Sequence, residues 1–109
     1  MALDTYVYDE NNNQIAYFRK NPDFHKWVAE KAGYDSLNFN NISVKITNSY
    51  IVELNDLLKN NRLSKCDVQG YFFGETDDED LVRMGVFINV ALNLFENNSN
   101  SYISIISSF

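Results

Sequence analysis

A chain of 109 residues, 45% of them hydrophobic, has the apolar mass for one core of ordinary size, which argues against disorder over most of its length and against more than one domain. The net charge of -6 sits in the C-terminal part: residues 1–66 hold eight acids and eight bases, residues 67–109 hold seven acids and a single base, Arg83. That imbalance repels phosphate backbones, so direct nucleic-acid binding is not expected, and it favours a protein partner with a basic surface.

Cys66 is the only cysteine and His25 the only histidine. An internal disulfide is excluded, and no zinc motif can be assembled from one of each. The first ten residues show no basic region followed by an apolar run, and no segment nears the roughly 18 apolar residues of a membrane span. The expected setting is therefore reducing and cytosolic, with no membrane partner.

In chain order, Leu3, Thr5 and Val7 alternate with Asp4, Tyr6 and Tyr8, a period-two pattern that predicts a strand over 3–8. Its second face is both aromatic and polar. Residues 9–13 form a turn, after which 14–20 reads as a short helix, with a second hairpin strand as the alternative. Asn21-Pro22-Asp23 combines an N-cap residue, a proline suited to the first helical position and an acid that complements the dipole. A helix over 22–32 follows, with Phe24, Trp27, Val28 and Lys31 on one face and Gly33 as its stop.

Ile42, Val44 and Ile46 alternate with polar residues as a half-buried strand. Thr47, Asn48 and Ser49 are three candidate caps for a helix that runs to about Asn60, with Ile51, Leu54, Leu57 and Leu58 inward. The apolar run bounded by Gly70 and Gly74 predicts a buried central strand over 68–73. Thr76 and Glu79 then have capping-box spacing, and Asp77, Asp78 and Asp80 add negative charge at a helix start. Leu81, Met84, Ile88, Ala91 and Phe95 make the inward stripe of that long helix, widened by Phe87, Leu92 and Leu94. So wide an arc is either core on two sides or in part a homodimer seam, at Val86 and Val90. Residues 102–107 read as a last strand. Together these elements predict one α+β domain over 1–109, about four short strands with three or four helices packed on the sheet.

The richest polar window runs from Ala16 to Trp27. Arg19 can fork onto a phosphate or carboxylate, Lys20 adds charge, the amides of Asp23 and Phe24 lie at a helix start, and Tyr17 or Trp27 can stack on a planar ligand. If 14–20 folds back over the first strand, Arg19 meets Asp4, and Tyr6 and Tyr8 wall a shallow pocket for a small anionic ligand. The competing reading puts Trp27 and Phe24 in the core with the cations in solvent. His25 as a general base needs an orienting partner, and a structural histidine is the simpler reading. A dyad of His25 with Cys66 lacks any local nucleophile signature. The acids Glu75, Asp77, Asp78, Glu79 and Asp80 lack the spacing of a calcium loop and read as helix capping, or as the contact for a basic partner. Neither a metal nor a cofactor is expected, and no phosphate-binding glycine motif is present.

Ala2-Leu3-Asp4-Thr5-Tyr6-Val7-Tyr8, Tyr17-Phe18-Arg19-Lys20, His25-Lys26-Trp27 and Gly70-Tyr71-Phe72-Phe73-Gly74 follow in the order and approximate spacing of a known pattern. The chain resembles a family of small bacteriophage and prophage proteins of undetermined function that open GLDMYLY, continue with YWRK and an HxW-like element, and later carry GFFFG before an acidic helix start. The resemblance covers most of the chain. Departures are Ala2 for Gly, Thr5 for Met and Phe18 for Trp. What it implies is a viral accessory protein in the cytoplasm of a host bacterium, an inhibitor of an antiviral defence system being the expected role. The alternative is a small-molecule or nucleotide-binding protein, or a small enzyme, built on Arg19, His25 and Trp27.

Overall fold

Asp9 turns the chain back on itself. Its carboxylate accepts the backbone N–H groups of Asn11 and Asn13, each at 2.9 Å, and Asn12 takes the left-handed φ of 64° that asparagine tolerates better than most residues. The flanking segments, β1 (Asp4–Tyr8) and β2 (Gln14–Arg19), therefore pair as an antiparallel hairpin, with a bulge between Val7 and Tyr8. The expected helix over 14–20 is thus a strand. Helix-compatible residues such as Gln14 and Ala16 are overridden because the turn delivers them to the edge of β1, where their backbone groups are paired and Phe18 enters the core.

The computed structural model describes residues 2–68, 70 and 72–109. The other elements are α1 (Pro22–Ala32), β3 (Ser43–Ile46), α2 (Asn48–Lys59), α3 (Asp78–Asn97) and β4 (Ile103–Ser108). The strands make one four-stranded sheet in the order β2-β1-β4-β3, antiparallel throughout. This is an α+β fold with the long helix α3 in its C-terminal half. No described helix is long and apolar enough to cross a membrane.

Alternation along β1 and β4 divides the sheet into two faces. Thr5 and Val7 of β1 and Ile103, Ile105 and Ser107 of β4 point inward and are buried. They meet Phe24, Trp27 and Val28 of α1, Ile51 and Leu54 of α2, and Met84, Phe87, Ile88, Ala91 and Phe95 of α3. Each large side chain so buried contributes about 1.5–3 kcal/mol by transfer from water. Leu81, expected on the inward stripe, is instead 37% exposed.

Two further expectations change. Of the strand expected at 68–73, Gln69 and Tyr71 lie outside the described residues, while Val68, Gly70, Phe72 and Phe73 form no strand. Gly70 and Gly74 both have positive φ, 134° and 67°, and the Gly74 N–H donates to the Gly70 carbonyl at 3.0 Å, so the segment turns instead of extending. Both edges of β1 are already occupied, and this loop plugs a side cluster of Leu3, Cys66 and Phe73. The start of α3 lies one residue later than Thr76 implies. Asp77 is the N-cap: its carboxylate accepts the Asp80 N–H at 2.8 Å and the Asp80 carboxylate accepts the Asp77 N–H at 3.0 Å. The Thr76 hydroxyl is used elsewhere, donating to Asn21 Oδ1 at 2.7 Å and accepting the Asp23 N–H at 3.0 Å.

Candidate functional site

The hairpin register builds a face from the residues the sequence singled out. Cα partners across β1 and β2 are Asp4 with Arg19 and Tyr6 with Tyr17, so these side chains are nearest neighbours on the side of the sheet that no helix covers. The Tyr17 hydroxyl donates to Asp4 Oδ1 at 2.5 Å, and the Tyr6 and Tyr17 rings lie 5.2 Å apart at a 37° tilt. That bond to a carboxylate holds the Tyr17 phenol above its ordinary pKa, with partial burial adding to the effect. Tyr8 continues the row along β1. Across β1 and onward to the other edge, Ser108, Ile106 and Ser104 of β4 and Ser43 and Lys45 of β3 complete the same face, with the Lys45 ammonium 4.5 Å from the Tyr102 ring centre. The result is a broad, shallow surface of tyrosine, hydroxyl and mixed charge.

Lys20 leaves this face. Its φ is 52°, its N–H donates to the Leu3 carbonyl at 2.7 Å, and its aliphatic stem lies over Gly74, where an added Cβ would stand 3.0 Å from Lys20 Cβ.

His25 and Trp27, expected to converge with Arg19, are in the interior. The fully buried His25 ring has Nε2 2.7 Å from the Ser36 carbonyl and Nδ1 2.8 Å from Ser107 Oγ, which lies 3.0 Å from Thr5 Oγ1. A carbonyl only accepts, so Nε2 carries the proton and Nδ1 accepts from Ser107. Thr5 then donates to Ser107, making one chain of donors. Phe39, Phe73 and Phe109 surround the ring, and this burial lowers its pKa. Cys66 is not bonded to His25; its thiol donates to Ser36 Oγ at 3.6 Å. Trp27 stacks on Phe24 and donates its Nε1–H to Glu53 at 3.0 Å, while Lys31 pairs with the same Glu53 and holds its carboxyl below the usual range.

The amides at the start of α1 are also committed. Thr76 takes the Asp23 N–H, and Asn21 Oδ1 accepts the Phe24 N–H at 3.4 Å, so neither offers the expected anion contact. Asp23 itself is buried, accepting the Cys66 N–H at 2.8 Å with the Lys65 ammonium 3.5 Å away.

The acidic corner is partly structural. Asp77 and Asp80 cap α3 and Glu79 pairs with Arg83 at 2.7 Å, while Glu75 and Asp78 are exposed. Burial raises the Asp80 pKa above the ordinary carboxylate value. Among the described residues no three His, Cys, Asp or Glu side chains are grouped to hold a metal ion. A separate cleft of about 590 Å³ lies between α2 and α3, floored by Leu57, Leu58 and Leu81 and rimmed by Lys59, Lys65 and Asn89.

Sequence reasoning missed the Thr5–Ser107–His25 chain and the link from Thr76 to α1. A signal existed for the first: Thr5 and Ser107 stand at inward positions of period-two strands, where a hydroxyl needs a buried polar partner. These features define a small α+β protein with one open sheet face. Compared with family models, with curated proteins and with solved structures, the chain finds no match in any of the three.

Proposed function

We propose that this protein is a binding module whose recognition surface is the open sheet face, and that its partner is a host protein in an infected bacterium, as the phage-family resemblance implies. The observation that carries the reading is the convergence of Asp4, Tyr6, Tyr17 and Arg19 on one uncovered surface, while His25 and Cys66, the groups suited to catalysis, are buried and hydrogen-bonded. Tyrosine and arginine are over-represented where proteins meet: tyrosine covers a large area at low entropic cost, and the arginine guanidinium offers a fork of five donors. The exposed acids Glu75 and Asp78 supply a field that steers a basic partner towards the molecule. In this reading the partner belongs to an antiviral defence system, and the module blocks it by occupancy.

The test uses Tyr6→Ala, at a half-buried position, and Arg19→Ala, at an exposed one, in a phage-protection assay in host cells. The expected outcome is a protein that still folds and unfolds cooperatively and has lost protection. Folded variants with full protection would overturn the assignment of this face.

A second reading is favoured by one observation, the volume of the cleft between α2 and α3, which falls in the range of small-molecule sites. A ligand with an apolar body would lie on Leu57, Leu58 and Leu81, and an anionic end would meet Lys59 or Lys65. Native mass spectrometry of the purified protein separates the two: a retained small molecule supports the cleft, and its release by Leu58→Trp locates it there.

A further inference from the structure

Helix α3 shows solvent an apolar ridge that the fold does not use. Val82 is 67% exposed, Val86 60% and Val90 39%, and this i, i+4, i+8 row borders a groove of about 290 Å³ whose other lip is Ile15 and Ala16 of the edge strand β2. We infer that a second copy of this chain covers the ridge, with the two α3 helices antiparallel across a two-fold axis at Val86. This inference stands independently of the function proposed above.

The residue order along the ridge selects that occupant. Glu79, Val82, Arg83, Val86, Asn89, Val90 and Asn93 are all exposed, and their spacing is symmetric about Val86. In an antiparallel pair Val86 meets itself, Val82 meets Val90 of the second copy, Arg83 meets Asn89 and Glu79 meets Asn93. Every charge then faces an amide, and the two helix dipoles oppose. A parallel pair would set Glu79 against Glu79, Arg83 against Arg83, and one acidic helix start against the other. Valines on i±4 ridges are small enough for helices to interdigitate at 8–10 Å, the usual separation. The seam from residue 79 to 93 is about 21 Å long by helix rise. To approach the ~800 Å² per partner of a stable interface it must also take in the β2 lip, which the shared groove allows. Because β2 carries Tyr17 and Arg19, such a dimer holds two recognition faces in one particle, and linked sites bind a repeated target more tightly than one.

Cross-linking reads both the dimer and its direction, in a chain whose one native thiol, Cys66, is replaced by serine. Under mild oxidation Val86→Cys alone is expected to form a disulfide dimer, as is an equal mixture of Val82→Cys and Val90→Cys, while Val82→Cys alone forms no disulfide. Val86→Asp is expected to raise the dissociation constant by ~100-fold, by burying an unpaired charge, with the circular dichroism spectrum unchanged. Sedimentation of the wild type as a monomer at all concentrations would overturn the inference. So would efficient linking of Val82→Cys to itself, which is the mark of a parallel pair. Loss of phage protection by the sheet-face variants leaves these outcomes untouched, so the two proposals fail separately.

Discussion

Both ring nitrogens of His25 are occupied, one by a carbonyl and one by a hydroxyl, inside a shell of three phenylalanines. Burial penalises the imidazolium and holds the folded-state pKa below the ordinary value of about 6.5. As pH falls, the unfolded chain takes the proton first. The stabilisation is therefore complete above about 6.5 and is lost as pH drops towards the depressed folded-state value. Urea unfolding should give a wild-type stability that declines from about pH 7 to pH 5, against a flatter profile for His25→Gln, which is less stable at neutral pH. Equal slopes for the two proteins would mean that other groups carry the acid sensitivity.

The start of α3 shows how a helix end serves two elements. Asp77 closes its own helix through a reciprocal pair with Asp80, and Thr76, one residue before, bonds Asn21 and Asp23 and so ties α3 to α1. Asp77→Ala is expected to cost about 1 kcal/mol, the usual loss for an N-cap. Thr76→Ala is expected to cost more, about 1–3 kcal/mol, because it leaves the Asp23 N–H without its partner in a partly buried site. Denaturant titration of the two variants tests the order; a Thr76→Ala protein as stable as wild type would show that the link between the helices carries no stability. The same tie explains the neighbouring glycine. Gly74 needs its positive φ to return the chain over Lys20, where a side chain would crowd the Lys20 stem.

At the scale of the molecule, the excess of acids lies at a corner formed by residues 75–80 and the aromatic face lies on the sheet. Two of those acids cap the helix and one pairs with Arg83, which leaves Glu75 and Asp78 as the ones whose removal tests charge without disturbing the fold. Glu75→Gln with Asp78→Asn is expected to slow association with a basic partner several-fold at low salt, and much less at high salt, where the screening length shortens to a few ångströms. Stopped-flow mixing across a salt series measures this. An association rate that ignores salt would remove the acidic corner from the recognition.

Periodicity and capping made much of this legible in advance. The alternation at 3–8 and 102–107, the Asn21-Pro22 helix start, the Gly33 stop and the inward stripe of Met84, Ile88, Ala91 and Phe95 are local signals, because burial on one side imposes a period on side chains that lie close in sequence. The facing of Arg19 and Asp4 was legible as a conditional, dependent on whether 14–20 folds back. Pairing with β1 decided that condition, and pairing is a property of two segments together. Likewise, an apolar run between two glycines reads as a strand until both sides of β1 are paired by β2 and β4, and a histidine reads as chemistry until its two nitrogens meet Ser36 and Ser107. The sequence by itself determined the α+β class, the two ends of α1 and the residue types available for recognition. Tertiary structure alone decided which of them reach solvent, because hydrogen-bond partners and burial are set by residues up to 102 positions apart.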